Sequence, residues 1–162
     1  MRLPGPAAFH AYVVNTMWLL ALIAVSGLIY IRVAPSDPAY WHIDPTLAAS
    51  PGESGVLVRP GDGDITPAPR DMPPAALLSR LDAIIMATPR TRRVAGSVEE
   101  GRVTYVTRSL VFGFPDYATV TAISRDGESF PVILSRARFG RSDLGVNRAR
   151  VEKWLEALKK PG

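Results

Sequence analysis

The chain has 162 residues, with nineteen Lys or Arg against fifteen Asp or Glu and no cysteine. That length allows one modest domain plus extras, and the missing cysteine excludes a disulfide framework, a thiolate zinc site and a thiol nucleophile. The charge is uneven: residues 36–75 carry six acidic groups against two arginines, a net of −4, while residues 76–162 carry fifteen basic against nine acidic, a net of +6.

Residues 1–12 read as a short N-terminal tail and residues 13–33 as a transmembrane anchor. Between Val13 and Ile31 there is no charge, and only Asn15, Thr16 and Ser26 are polar. About 20 apolar residues at ~1.5 Å rise match a hydrocarbon layer of ~30 Å. Trp18 near one end and Tyr30 and Trp41 towards the other suit the interfacial aromatic belts. The run is longer than a signal-peptide core and ends in Tyr-Ile-Arg-Val-Ala-Pro, without a small-residue cleavage site. The lipid bilayer is therefore the first expected partner. Arg2 before the span and Arg32 after it nearly cancel as orientation signals. Insertion as a signal-anchor, single-pass in an inner (cytoplasmic) membrane with a periplasmic C-terminal domain, is the expectation. An outside location conflicts with nucleic-acid binding, so none is expected.

Residues 34–54 read as a Pro-rich linker, marked by Pro35, Pro38, Pro45 and Pro51. Such a segment forms no core of its own and should drape or tether. Tyr40 and Trp41 are expected at the membrane surface or on the domain, and His10 and His42, the only histidines, beside the span. Residues 55–162 form the domain. Gly55–Arg59 reads as a short strand, and Leu77, Leu78, Leu81, Ile84 and Ile85 recur at helical spacing between Pro74 and Pro89. Two hairpins follow, Arg93–Phe112 and Tyr117–Ala137, the second turning at Asp126-Gly127. Val151, Trp154, Leu155 and Leu158 give a last helix, with Lys159 and Lys160 at its C-terminal dipole. The fold class is thus α+β. An antiparallel sheet of four to five strands packs against two helices in the order β-α-β4-α, with the helices on one sheet face.

Residues 135–150 concentrate five arginines, Asp143, Asn147, Gly140 and Gly145 between the last strand and the last helix. Arg136 and Arg138 are two apart and share a strand face. Asp143 can cap the helix, the two glycines permit a tight turn, and Arg148 should begin the buried stripe beside Asp143 or Asp116. Two readings stay open. The corner is a structural polar cluster of Asp116, Asp143, Gly140 and Gly145, or it leaves Arg136, Arg138, Arg141, Arg148, Asn147 and Arg108 to bind an anion.

Tyr105-Val-Thr-Arg-Ser109, Phe114-Pro-Asp116 and the run from Ser135 to Glu152 resemble a domain-of-unknown-function family, numbered fourteen ninety-nine, of bacteria and plastids. Its signature reads approximately Ser-Arg-Ser-Arg-x-Gly-x-Ser-Asp-Leu-Gly-x-Asn-Arg-x-Arg, and the resemblance covers roughly residues 70–160. The chain departs at Ala137, where the family often has serine. The resemblance implies a membrane-associated or lumenal location, with some plastid relatives tied to the assembly of photosynthetic complexes, and it supplies no activity.

Other chemistries fit less well. A Ser-His-Asp hydrolase needs a histidine within the domain, and Gly61-Asp-Gly-Asp64 lacks the lysine and helix of a phosphate loop. A metal site would need Asp116, Asp126 and Asp143 to converge without histidine or cysteine. No cofactor, metal or catalytic residue is expected. The sequence points to a membrane-anchored, non-catalytic binding or assembly module that docks an acidic protein, such as a membrane-protein complex, or an anionic headgroup. The alternative is a lipid-like ligand carrier or hydrolase with a cavity between sheet and helices.

Overall fold

The computed structural model describes residues 5–160. Arg2 and the first four residues of the tail lie outside the described residues, as do Pro161 and Gly162. The chain divides into two units, residues 1–34 and 35–162.

The first unit is one helix, α1 (Pro6–Val33), which starts seven residues ahead of the expected span because Pro6 suits a first helical turn. Its apolar residues are spread around the whole circumference, so it has no face to lay on a globular core. From Phe9 to Val33 it is long and apolar enough to cross a membrane. The Thr16 hydroxyl donates back to the Tyr12 carbonyl at 2.8 Å, which satisfies one of its few polar groups.

The second unit is built on a five-stranded antiparallel sheet, ordered β1-β5-β4-β3-β2. The strands are β1 (Gly55–Val58), β2 (Thr91–Ser97), β3 (Arg102–Arg108), β4 (Pro115–Arg125) and β5 (Glu128–Ala137). Helices α3 (Pro74–Met86) and α4 (Val146–Lys159) cover one face. Leu77, Leu81 and Ile85 of α3 and Val151, Trp154 and Leu158 of α4 meet Val56, Val103, Tyr105, Val120 and Ile133 of the sheet. These side chains fill the layer between helices and sheet. The class and the order of elements agree with the sequence expectation. The β4–β5 hairpin turns at Asp126 (φ +54) and Gly127 (φ +82), the two left-handed positions of a tight turn. Asp82 of α3 accepts two bonds from Arg93 of β2, at 2.8 and 2.5 Å, and one from the Tyr105 hydroxyl at 2.8 Å. The Arg93 guanidinium holds the Asp82 carboxyl below its ordinary range, and burial pushes the Tyr105 hydroxyl up.

The opposite face of the sheet is covered too, by the segment read from sequence as a linker. A four-residue helix, α2 (Pro38–Trp41), is capped by Asp37, whose carboxylate accepts from the Ala39 N–H at 2.9 Å. It lays Trp41 flat on Tyr117, with ring centroids 3.8 Å apart and planes 11° from parallel, against Val106 and Val94. Further along, Arg59 Nη1 donates to the carbonyls of Pro45, Thr46 and Ala48 while Asp62 grips the same guanidinium. Apart from α2 and a single 3-10 turn at Gly52–Ser54 the segment is irregular, and of the two expectations it drapes over the sheet as a strap and is not a tether.

His42 belongs to this strap. Arg102 Nε donates to His42 Nε2 at 3.3 Å, so the ring proton sits on Nδ1, which donates to Thr104 Oγ1 at 2.9 Å. Thr104 then donates to Thr119 at 2.9 Å, and Thr119 donates to the Trp41 carbonyl at 2.8 Å. Burial, and then the Arg102 guanidinium, lower the His42 pKa below its ordinary value. Gly96 (φ +73) makes room for the ring, since a Cβ there would lie 2.6 Å from His42 Cε1.

Candidate functional site

Strand alternation divides the arginine-rich corner between two faces of β5. Ser135 and Ala137 point to the helices, while Arg136 and Arg138 point to the strap. The corner is therefore two sites back to back.

On the helix side stands a buried polar staple. The Ser135 hydroxyl donates to Asn147 Oδ1 at 2.5 Å, and Arg150 Nη1 donates to the same oxygen at 3.0 Å. Arg150 Nη2 donates to Asp116 Oδ2 at 2.8 Å, with both side chains largely buried. Asp143 caps α4 from outside, accepting from Gly145 N at 2.9 Å and Asn147 N at 2.8 Å. Its own N–H donates to the Glu53 carbonyl at 3.1 Å, which ties the corner to the turn before β1. Gly145 (φ +79) and Gly140 (φ +94) hold left-handed conformations in this loop. Asn147 Nδ2 meets no partner in hydrogen-bonding geometry, although the Asn147 amide still favours the charged form of Asp116. Burial nevertheless outweighs Arg150 and raises the Asp116 pKa. A pair buried in this way fixes geometry more than it adds stability.

The arginine of this staple is Arg150 and not Arg148. The buried stripe of α4 runs through Asn147, Val151, Trp154 and Leu158. Arg148 lies ~100° around the helix from Asn147, whereas Arg150 flanks the stripe at ~60° on the other side. Arg148 is exposed and reaches only Glu152, at 3.9 Å.

On the strap side, Arg136 stands in an aromatic setting and forms no ion pair among the described residues. Its guanidinium carbon lies 4.9 Å from the Trp41 ring centroid and 5.9 Å from that of Tyr40. Nη2 is 3.5 Å from the Trp41 carbonyl, at the limit of a hydrogen bond, and the buried Nε has no partner. Burial lowers its pKa from the ordinary arginine value, but a guanidinium remains charged at any physiological pH. Arg138 beside it donates to the Pro35 carbonyl at 2.5 Å and to the Tyr117 hydroxyl at 3.4 Å. The two arginines, Tyr40, Trp41, Pro35 and Ser54 line an open cleft of about 610 Å³. Asp37 also lines it, with one carboxylate oxygen engaged in capping α2. A half-buried cation against an aromatic wall, with a second arginine beside it, suits an oxyanion.

The remaining sequence candidates disperse. Arg108 Nη1 donates to the Gly113 carbonyl at 2.9 Å, and Arg141 is exposed on the loop before α4. Arg150, Ser135, Trp41, Tyr40 and Tyr117 were not in the expected set. Parity with Arg136 on β5 was the available signal for Ser135. The domain does hold a histidine, contrary to expectation, but His42 is not a base beside an accessible nucleophile. Thr104 is fully buried and passes its proton to Thr119, and a guanidinium occupies the side where an orienting carboxylate would stand. Among the described residues no three His, Asp or Glu side chains are grouped to hold a metal ion.

Residues 36–158 match the family described as Protein of unknown function (DUF1499). The chain belongs to this family. The DUF1499 match begins at 36, so it takes in α2 and Trp41, well ahead of residue 70. No curated protein and no solved structure matches the chain.

The back-to-back division predicts unequal effects from neighbouring arginines. Arg150→Ala leaves the buried Asp116 carboxylate without its donor and Asn147 Oδ1 with Ser135 alone, and should destabilise the DUF1499 domain by ~3–5 kcal/mol. Arg148→Ala should change it by less than ~0.5 kcal/mol. Denaturant unfolding of the full chain in neutral detergent, followed by Trp154 and Trp41 fluorescence, reads both; equal effects would contradict the assignment.

Proposed function

We propose that the protein is a membrane-held, non-catalytic module whose Arg136–Arg138 cleft recognises the phosphate of an anionic lipid headgroup. The observation that carries this reading is Arg136: a half-buried guanidinium, faced by Trp41 and Tyr40, with no ion-pair partner among the described residues. Removing a cation from water is expensive unless something answers it. Aromatic faces answer part of that cost, and an incoming phosphate would answer the rest by accepting from the guanidinium edge. Arg138, whose Nη1 is fixed on Pro35, supplies a second cation beside it.

A lipid is favoured over an acidic protein because Pro35, which follows the membrane-spanning run in sequence, lines the cleft. Only Ala34 separates Pro35 from the end of α1 at Val33. The ligand-carrier alternative needs a chamber between sheet and helices, in the layer that Leu77, Leu81, Val120 and Val151 occupy. The same reading sets the span in an inner (cytoplasmic) membrane as a signal-anchor, with the domain on the periplasmic side. The role in assembling a membrane-protein complex would then be to hold a lipid at the complex.

Calorimetric titration of the full chain in neutral nanodiscs with dihexanoyl phosphatidylglycerol tests the headgroup claim. Saturable binding should weaken about tenfold or more in Arg136→Gln and in Arg138→Gln. Arg125→Gln, at the far end of the sheet, should bind as the parent does. Absence of saturable binding overturns the reading, and Arg136-dependent capture of an acidic protein without lipid binding transfers the cleft to a protein partner. Orientation has its own check: the domain should resist protease in inside-out vesicles, and ready digestion there contradicts the periplasmic placement.

A further inference from the structure

The loops 109–114 and 138–145 lie at the same end of the sheet as Pro35, and they expose large apolar side chains. Leu110 is 72% exposed and Leu144 is 92% exposed, with Val111, Phe112 and Val146 also open to solvent. Leu110 and Val146 line one groove, so the two loops are adjacent. An aromatic ladder joins them to the strap side. Phe112 lies 5.9 Å from Phe114, Phe114 lies 6.1 Å from Phe139, and Arg138 lies over Phe139 at 5.4 Å.

Leu144 is held in place deliberately. Its φ is +54, a left-handed conformation that side chains with a Cβ resist. Hydrogen bonds on both sides fix it: Leu144 N donates to the Ser142 hydroxyl at 3.2 Å, and Gly145 N donates to the Asp143 carboxylate at 2.9 Å. A strained leucine that buries nothing works against folding, so its role lies in a contact outside the domain. Arg141 and Arg148, within four residues of Leu144 in sequence, and Arg90 and Lys153, on the groove that Leu110 and Val146 line, are exposed. Of the nearby carboxylates, Asp116 is engaged with Arg150 and Asp143 with backbone N–H groups, and the exposed Glu152 pairs loosely with Arg148 at 3.9 Å.

We propose that this end of the domain is a bilayer-contact surface. Leu110, Val111, Phe112 and Leu144 enter the interfacial layer of the membrane, and Arg90, Arg141, Arg148 and Lys153 lie among the phosphates. Apolar tips ringed by cations are what an anionic lipid interface accepts. The occupant follows from the chain itself. In sequence Pro35 follows the membrane-spanning run with only Ala34 between, and Arg138 holds Pro35 at this end of the sheet. The proposal goes beyond the Arg136 cleft and stands without it, since none of the inserting side chains lines that cleft.

The cysteine-free chain permits a direct test. Leu144→Cys, Phe112→Cys and Asp126→Cys, the last at the opposite hairpin turn, are each labelled with an environment-sensitive nitrobenzoxadiazole. The full chain is then reconstituted in vesicles of phosphatidylcholine and phosphatidylglycerol. Nitroxide lipids with shallow spin labels should quench the labels at 144 and 112 at least about twofold more than the label at 126. Equal quenching at all three positions overturns the proposal. So does a blue-shifted emission at 144 that nitroxide lipids leave unquenched, because it would show a protein surface covering the loop. Adding Arg136→Gln to the Leu144→Cys chain should leave quenching unchanged, whatever that substitution does to headgroup binding.

Discussion

The stack of Trp41 on Tyr117 is the contact on which the domain's second face depends. A sheet with helices on one side only would leave Val106, Tyr117 and Leu134 in water, and all three are buried. The strap supplies the missing layer with no regular structure beyond the one turn of α2 and a short 3-10 turn. One indole anchors it, a chain of donors through His42, Thr104 and Thr119 returns to the Trp41 carbonyl, and Arg59 gathers the carbonyls that follow. Burying a tryptophan and its stacked partner stabilises by several kcal/mol, roughly as much as truncating one costs. The same indole then serves as the wall behind Arg136, so the contact that completes the fold also makes the cleft.

Alternation on β5 distributes the polar groups between two tasks. Inward residues join Asn147, Arg150 and Asp116 into a staple that fixes where α4 leaves the sheet. Outward residues present guanidiniums that the staple does not consume. A dense arginine motif can therefore be structural and binding at once, because consecutive residues of a strand never share a neighbourhood. The raised pKa of Asp116 fits this division. The staple accepts a desolvation cost to define geometry, and the exposed loops beyond it carry the apolar side chains that folding leaves unused.

Much of this was legible in the sequence, and the rest was hidden for identifiable reasons. The apolar helix, the α+β class, the order of strands and the Asp126-Gly127 turn follow from periodicity and turn chemistry, which are local. Arg148 was expected in the staple because it stands three and seven residues before Val151 and Leu155. The stripe is centred between Asn147 and Trp154, however, and Leu155 lies at its edge; a small rotation of the stripe away from Leu155 puts Arg150 and not Arg148 on its flank. The strap was concealed by its prolines, which report the lack of regular structure but not whether a segment is covered. A faint signal existed in β3, where Val103 to Val106 runs apolar or small on both parities, as strands buried on two faces do. The pairing of Asp82 with Arg93 and Tyr105 depends on tertiary approach, and no spacing announces it.

Truncating the anchor of the strap tests the central claim most directly. Trp41→Ala and Leu47→Ala, the latter 84% exposed in the same segment, are compared in the full chain by denaturant unfolding monitored through Trp154. If residues 35–48 complete the sheet, Trp41→Ala lowers the domain's stability by ~3–5 kcal/mol and Leu47→Ala changes it by less than ~0.5 kcal/mol. Loss of less than about 0.5 kcal/mol in both would make the segment a tether after all, and the cleft built on Trp41 would go with it.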